Sequence, residues 1–97
     1  MEKKYIDNYK KCIEVWGIDA QIKMCIEEMS ELTKALCKLE RVKGTSQEDA
    51  VLANIKEEIA DVLNMAEQLE YYFGEEEIEN IRKQKIERTL KKIKGGK

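Results

Sequence analysis

IEEMSELTKAL, residues Ile26 to Leu36, carries apolar side chains at helical spacing with a glutamate standing among them. At about 100° per residue from Glu28, Leu39 falls near 20°, Leu32 near 40°, Cys25 near 60°, Ala35 near −20° and Met24 near −40°. Glu28 is therefore flanked on both sides by residues that seek a core. Glu31 falls at roughly −60°, the edge of that face, and Glu27 at roughly −100°, beside Lys23 and Lys34, where solvent is expected. KEEIADVLNM, residues Lys56 to Met65, repeats the layout. There Glu58 stands among Val51, Ile55, Val62, Met65 and Leu69, and Asp61 lies one turn on.

Outward from these stretches the chain reads as four helices. The first is expected from Glu2 to Trp16, with Tyr5, Tyr9, Cys12 and Trp16 on one side, ending at Gly17. The second is expected from Asp19, as N-cap, to Lys43, with a stripe of Ile22, Cys25, Met29, Leu32, Leu36 and Leu39. The third opens on TSQE, where Thr45 with Glu48, or Ser46 with Asp49, has capping-box spacing. It carries Leu52, Ile55, Ile59, Val62, Ala66, Leu69 and Phe73 and stops at Gly74. The fourth, Glu75 to Lys94, begins with three glutamates and ends in lysines, matching the helix dipole at both ends. Residues 95–97 read as a frayed tail.

Short connections make neighbouring helices antiparallel. The expected fold is all-α, one domain over residues 1–97, a four-helix bundle with two long antiparallel central helices. With 97 residues a lone chain buries only about 60–65% of its unfolded surface, so completion by self-association is expected. An offset of thirty residues superimposes Glu28 on Glu58 and Glu31 on Asp61. A duplicated hairpin produces that match, and so do two helices meeting one packing demand.

Composition narrows the chemistry. A net charge of −2 supplies no field to attract nucleic acid or anionic lipid. No apolar run is long enough for a membrane helix, and MEKKYIDNYKK is too polar for a secretory signal. Three cysteines, Cys12, Cys25 and Cys37, form neither a zinc pair nor a disulfide framework and fit a reducing cytoplasm. There is no histidine, which removes serine triads, Cys–His pairs and histidine-bound zinc. What remains is chemistry on carboxylates, lysine, arginine, tyrosine or a bound metal.

Carboxylates inside a seam repel one another unless a cation, a metal or a proton intervenes. Residues three apart share a helix side, so each long helix offers two carboxylates and an antiparallel pair offers four. Oxygen-only ligands suit a hard divalent ion such as Mg²⁺. The competing reading places Glu28 and Glu58 at the edges of a coiled-coil interface, paired with lysines or reaching to solvent. On the fourth helix Lys85 shares a face with Ile78, Ile81 and Thr89, and Arg88 stands one turn later, a basic counterpart suited to phosphate. Gln21, on the Glu28 face two turns earlier, is a polar candidate for a ligand pocket. Trp16 and the tyrosines are read first as core.

Glu27-Glu28-Met29-Ser30-Glu31, followed by Glu58-Ile59-Ala60-Asp61, resembles the paired acidic signature of the MazG-like nucleoside triphosphate pyrophosphohydrolases. Trp16-Gly17 followed by Gln21 is similar to the entry of that family's first motif helix. The resemblance spans roughly Trp16 to Arg88. It implies an all-α fold that binds Mg²⁺, with Mn²⁺ as a substitute, and hydrolyses a nucleoside triphosphate to monophosphate and pyrophosphate. It implies Glu28, Glu31, Glu58 and Asp61 as metal ligands and catalytic centre, and Lys85, Arg88 and Gln21 as substrate-binding residues. It also implies a homodimer or homotetramer whose sites can draw on more than one chain. A house-cleaning enzyme, a dUTPase and a phosphoribosyl-ATP pyrophosphatase share this design. A non-catalytic, self-associating helical module is the alternative from another class.

Overall fold

A computed structural model of the chain describes residues 5–95. The order is α1 (Ile6–Trp16), α2 (Ile18–Val42), α3 (Glu48–Phe73) and α4 (Glu75–Lys94). Residues 2–4 of the expected first helix, and residues 96 and 97, lie outside the described residues. Among those described there is no strand, and no helix is long and apolar enough to cross a membrane.

The breaks are where glycine makes them. Gly17 and Gly74 take φ of 86° and 123°, a region that a side-chain-bearing residue enters only with strain. Two expected caps are not used. Gly17, not Asp19, is the N-cap of α2, and Asp19 sits inside the first turn. Gln47 precedes α3 without a side-chain cap. Thr45 and Glu48 stabilise the loop instead. The Thr45 hydroxyl donates to the Val42 carbonyl at 2.6 Å and accepts from the Gln47 amide at 3.2 Å. Glu48 Oε1 accepts from the Gly44 amide at 2.9 Å.

The long helices α2 and α3 pack antiparallel. Ala35, Val42, Val51 and Ile55 form the buried cluster, with Leu32 and Leu39 against it. This corrects the expected stripe. On α2 the occupied seam runs Gln21, Cys25, Glu28, Leu32, Ala35, Leu39, Val42, each of them buried or half-buried. Met29 and Leu36 are 46% and 49% exposed. On α3 the seam uses Val51, Ile55, Glu58, Val62 and Met65, while Leu52, Ile59 and Phe73 are exposed. Each helix carries two apolar columns, and the hairpin consumes the one that contains the glutamates.

The second column lies about 100° round from the seam on both helices. In an antiparallel pair, equal rotation from a shared seam turns both columns to one side. Met29, Leu36, Leu52 and Ile59 therefore share a broad apolar face. Helix α1 packs on the opposite side, against Gln21, Met24 and Asn64.

Among the described helices, α4 approaches only α3. From Asn80 onward every described residue of α4 is exposed. Its anchor is the Gly74 elbow. There Glu70 is 5% exposed, and its Oε2 is buried without a hydrogen-bond partner. Arg82 grips both Glu79 oxygens at 3.1 and 2.8 Å. Burial, then a proton shared with Glu79, push the Glu70 carboxyl up from its ordinary 4.5 to about 7. Glu79 is held below the usual carboxylate range by that same bond and by Arg82.

Glu70 in the folded chain keeps a proton that the unfolded chain has lost. Its contribution is complete below the ordinary value and disappears as pH rises through about 7. Glu79 behaves oppositely, losing its contribution in acid. Thermal denaturation from pH 5 to 8 is expected to show stability declining by on the order of 2 kcal/mol from Glu70, and Glu70→Gln to remove that share of the decline.

Candidate metal centre

The α2–α3 hairpin brings the Glu28 carboxyl into hydrogen-bonding reach of Asp61, with Glu58 one turn back along α3. One carboxylate oxygen from each of Glu28, Glu58 and Asp61 lies within 4.8 Å of the others. Glu28 and Glu58 are half-buried and Asp61 is exposed, so the cluster opens to solvent on one flank. Oxygens around a hard cation at about 2.1–2.4 Å stand roughly 3–5 Å apart, and the cluster falls within that range. Three carboxylates with no nitrogen or sulfur donor suit Mg²⁺ or Mn²⁺.

Electrostatics tell the same story. Desolvation first, then a hydrogen bond and charge from Asp61, with Glu58 and Glu31 adding to it, raise the Glu28 pKa. Desolvation, followed by the charges of Asp61, Glu31 and Glu57, raises that of Glu58. No basic group contributes to either shift. The lysine pairing expected of a coiled-coil edge is therefore not what these two glutamates have among the described residues. Their position supplies negative charge that is favourable only once a proton or a cation joins it.

The other expected site residues fall in three places. Glu31 is exposed and pairs with Lys34 at 3.5 Å, outside the three-carboxylate cluster, although its charge is felt at Glu28 and Glu58. Lys85 and Arg88 are exposed on α4, whose backbone does not approach α2, so one chain does not bring them to the carboxylates. Gln21 is buried, at 4% exposure, in a cleft between α1 and the hairpin.

That cleft holds about 520 Å³ and is lined by residues including Tyr9, Trp16, Gln21, Met24, Asn64 and Gln68. Met24 is one turn before Glu28, and Asn64 one turn after Asp61, so the cleft and the carboxylates share a wall. Gln68 Nε2 donates to Gln21 Oε1 at 3.1 Å across the seam. Tyr9 anchors α1 over this region by donating to Glu67 Oε1 at 2.7 Å, and burial with that bond pushes its phenol well up. Glu67 lies on the side of α3 opposite Glu58, where helical spacing alone points a glutamate to solvent. It is half-buried beneath Tyr9 instead. Gln68 and Glu67 carry no distinctive spacing of their own, and only the seating of α1 gives them a role.

No protein-family model, curated protein or solved structure matches the chain.

Proposed function

We propose that this chain is a MazG-like, Mg²⁺-dependent nucleoside triphosphate pyrophosphohydrolase of the house-cleaning type, acting in the cytoplasm. The observation that carries the reading is the meeting of Glu28, Glu58 and Asp61 beside the apolar stretch of the seam built from Leu32, Ala35, Val51 and Ile55. A pure packing role would place leucine or alanine there at lower cost. Glu28, Glu58 and Asp61 would hold the ion, and Glu31, now paired with Lys34, would be the fourth carboxylate near it. A divalent ion in such a place neutralises phosphate charge and lowers the pKa of water. Water attacks the α-phosphorus, the bond to the bridging oxygen of the β-phosphate breaks, and pyrophosphate leaves. Glu27 or Glu57, the outward-turned carboxylates beside the cluster, is left to take the proton from the attacking water, the charge of Glu57 bearing on Glu58.

The same reading assigns the exposed apolar face to a second copy of the chain. Two hairpins packed through Met29, Leu36, Leu52 and Ile59 make a four-helix core, the minimum for a homodimer or, paired again, a homotetramer. Helix α4, projecting with Lys85 and Arg88 in solvent, then supplies phosphate-binding charge across the assembly. The exposed columns equally favour a second reading, a helical self-association module without catalysis.

Pyrophosphate release from the common ribo- and deoxynucleoside triphosphates and dUTP, in Mg²⁺ and in EDTA, separates the two readings. The hydrolase predicts release that EDTA abolishes. The module predicts none from any nucleotide, nor from phosphoribosyl-ATP.

A further inference from the structure

The Gln21–Gln68 pair has chemistry left over. Gln68 is 3% exposed and Gln21 4%. Their only described hydrogen bond is the one to each other. Gln68 Oε1 is buried and has no hydrogen-bond partner among the described residues. An unfilled amide oxygen is costly until it finds a donor. Both residues line the cleft that shares a wall with the carboxylates. Trp16 and Tyr9 stand in the same lining, and among the described residues no charged side chain does. A flat, neutral ring with polar atoms on its edge suits such a lining, since aromatic faces stack and amides bond in the ring plane.

We propose that this cleft receives the base of the nucleotide and that the Gln21–Gln68 pair reads its polar edge in either of two senses. Turning both amides over together preserves their mutual hydrogen bond. It exchanges the unfilled acceptor, Gln68 Oε1, for an unfilled donor, Gln68 Nε2. No third group locks either amide among the described residues. In one sense the pair accepts from an exocyclic amine, as in cytosine or adenine. In the other it donates to an exocyclic oxygen, as in uracil or hypoxanthine. The cleft therefore selects for a base and does not select between amino and oxo bases. This deepens the hydrolase reading and rests on it for the phosphates alone.

The test has two arms. In EDTA, CMP and UMP are titrated into the ¹⁵N-labelled protein while the side-chain amide resonances are followed. Both nucleotides are expected to shift the Gln21 and Gln68 amide signals, and Gln68→Met to weaken both about tenfold. In Mg²⁺, kcat/KM is compared for dCTP against dUTP and for dATP against dITP. Each ratio is expected within about threefold of one. Gln68→Met is expected to lower all four about tenfold through KM, with kcat little changed. Amide shifts without hydrolysis would retain the cleft and overturn the hydrolase. Hydrolysis indifferent to Gln68→Met would overturn the cleft assignment. A ratio above about thirtyfold in the wild type would overturn the two-way reading. Retained circular dichroism in the variant confirms that the loss is local.

Discussion

Glu58→Gln is expected to lower metal-dependent pyrophosphate release by at least about a hundredfold while leaving the metal-free protein as stable as before, or more stable. The first effect follows from removing one of three clustered ligands to an ion that the reaction requires. The second follows from the raised pKa values of Glu28 and Glu58, which record desolvation first and then repulsion within the cluster. A group raised in this way contributes most when protonated, below its ordinary range, and its contribution is lost as pH rises through the raised value. Glutamine keeps the shape and removes the charge, so the loss at higher pH is relieved. The check is a pair of melting curves at pH 8, wild type and variant, each in EDTA and in Mg²⁺. Mg²⁺ is expected to raise the wild-type midpoint and to leave that of Glu58→Gln nearly unmoved. A variant that melts much lower in EDTA would assign Glu58 to a structural pair.

The second large effect concerns the uncovered face. Ile59→Lys is expected to weaken self-association by about 30-fold to 1,000-fold, the range of a central interface residue worth roughly 2–4 kcal/mol. Ile59 is 41% exposed in the single chain, and Met29 and Leu36 lie on the same side. Among the described residues the single chain buries no large side chain completely. Stability is therefore expected to depend on concentration, with the wild-type melting temperature rising as protein is added. Sedimentation of wild type and Ile59→Lys over a hundredfold concentration range checks it. A monomeric wild type at all concentrations would contradict it.

Much of the fold is legible from local rules. Gly17, Gly44 and Gly74 separate the helices, and apolar spacing identifies each one. The choice of seam is not local. Each long helix has two apolar columns that share Cys25, Leu32 and Leu39, or Ile55, Val62 and Leu69. Counting apolar residues favours the column of Met29, Leu36, Leu52 and Ile59. The hairpin uses the column with Glu28 and Glu58, leaving the richer one for a surface that this chain does not cover. Carboxylate placement was visible in the sequence because Glu28 and Glu58 interrupt apolar faces. Glu70 was hidden in a pattern common to glutamate-rich helices, and only the Gly74 elbow with Arg82 on Glu79 explains its burial. The pairing of Gln68 with Gln21 depends on how the antiparallel helices align.

The most direct measurement of the central claim is a ³¹P NMR time course of a nucleoside triphosphate with the protein and Mg²⁺. Appearance of monophosphate and pyrophosphate, with no diphosphate or orthophosphate, and its arrest by EDTA, is the predicted result. Diphosphate with orthophosphate, or unchanged triphosphate across the nucleotide panel, would contradict it and leave Glu28, Glu58 and Asp61 without the role assigned to them here.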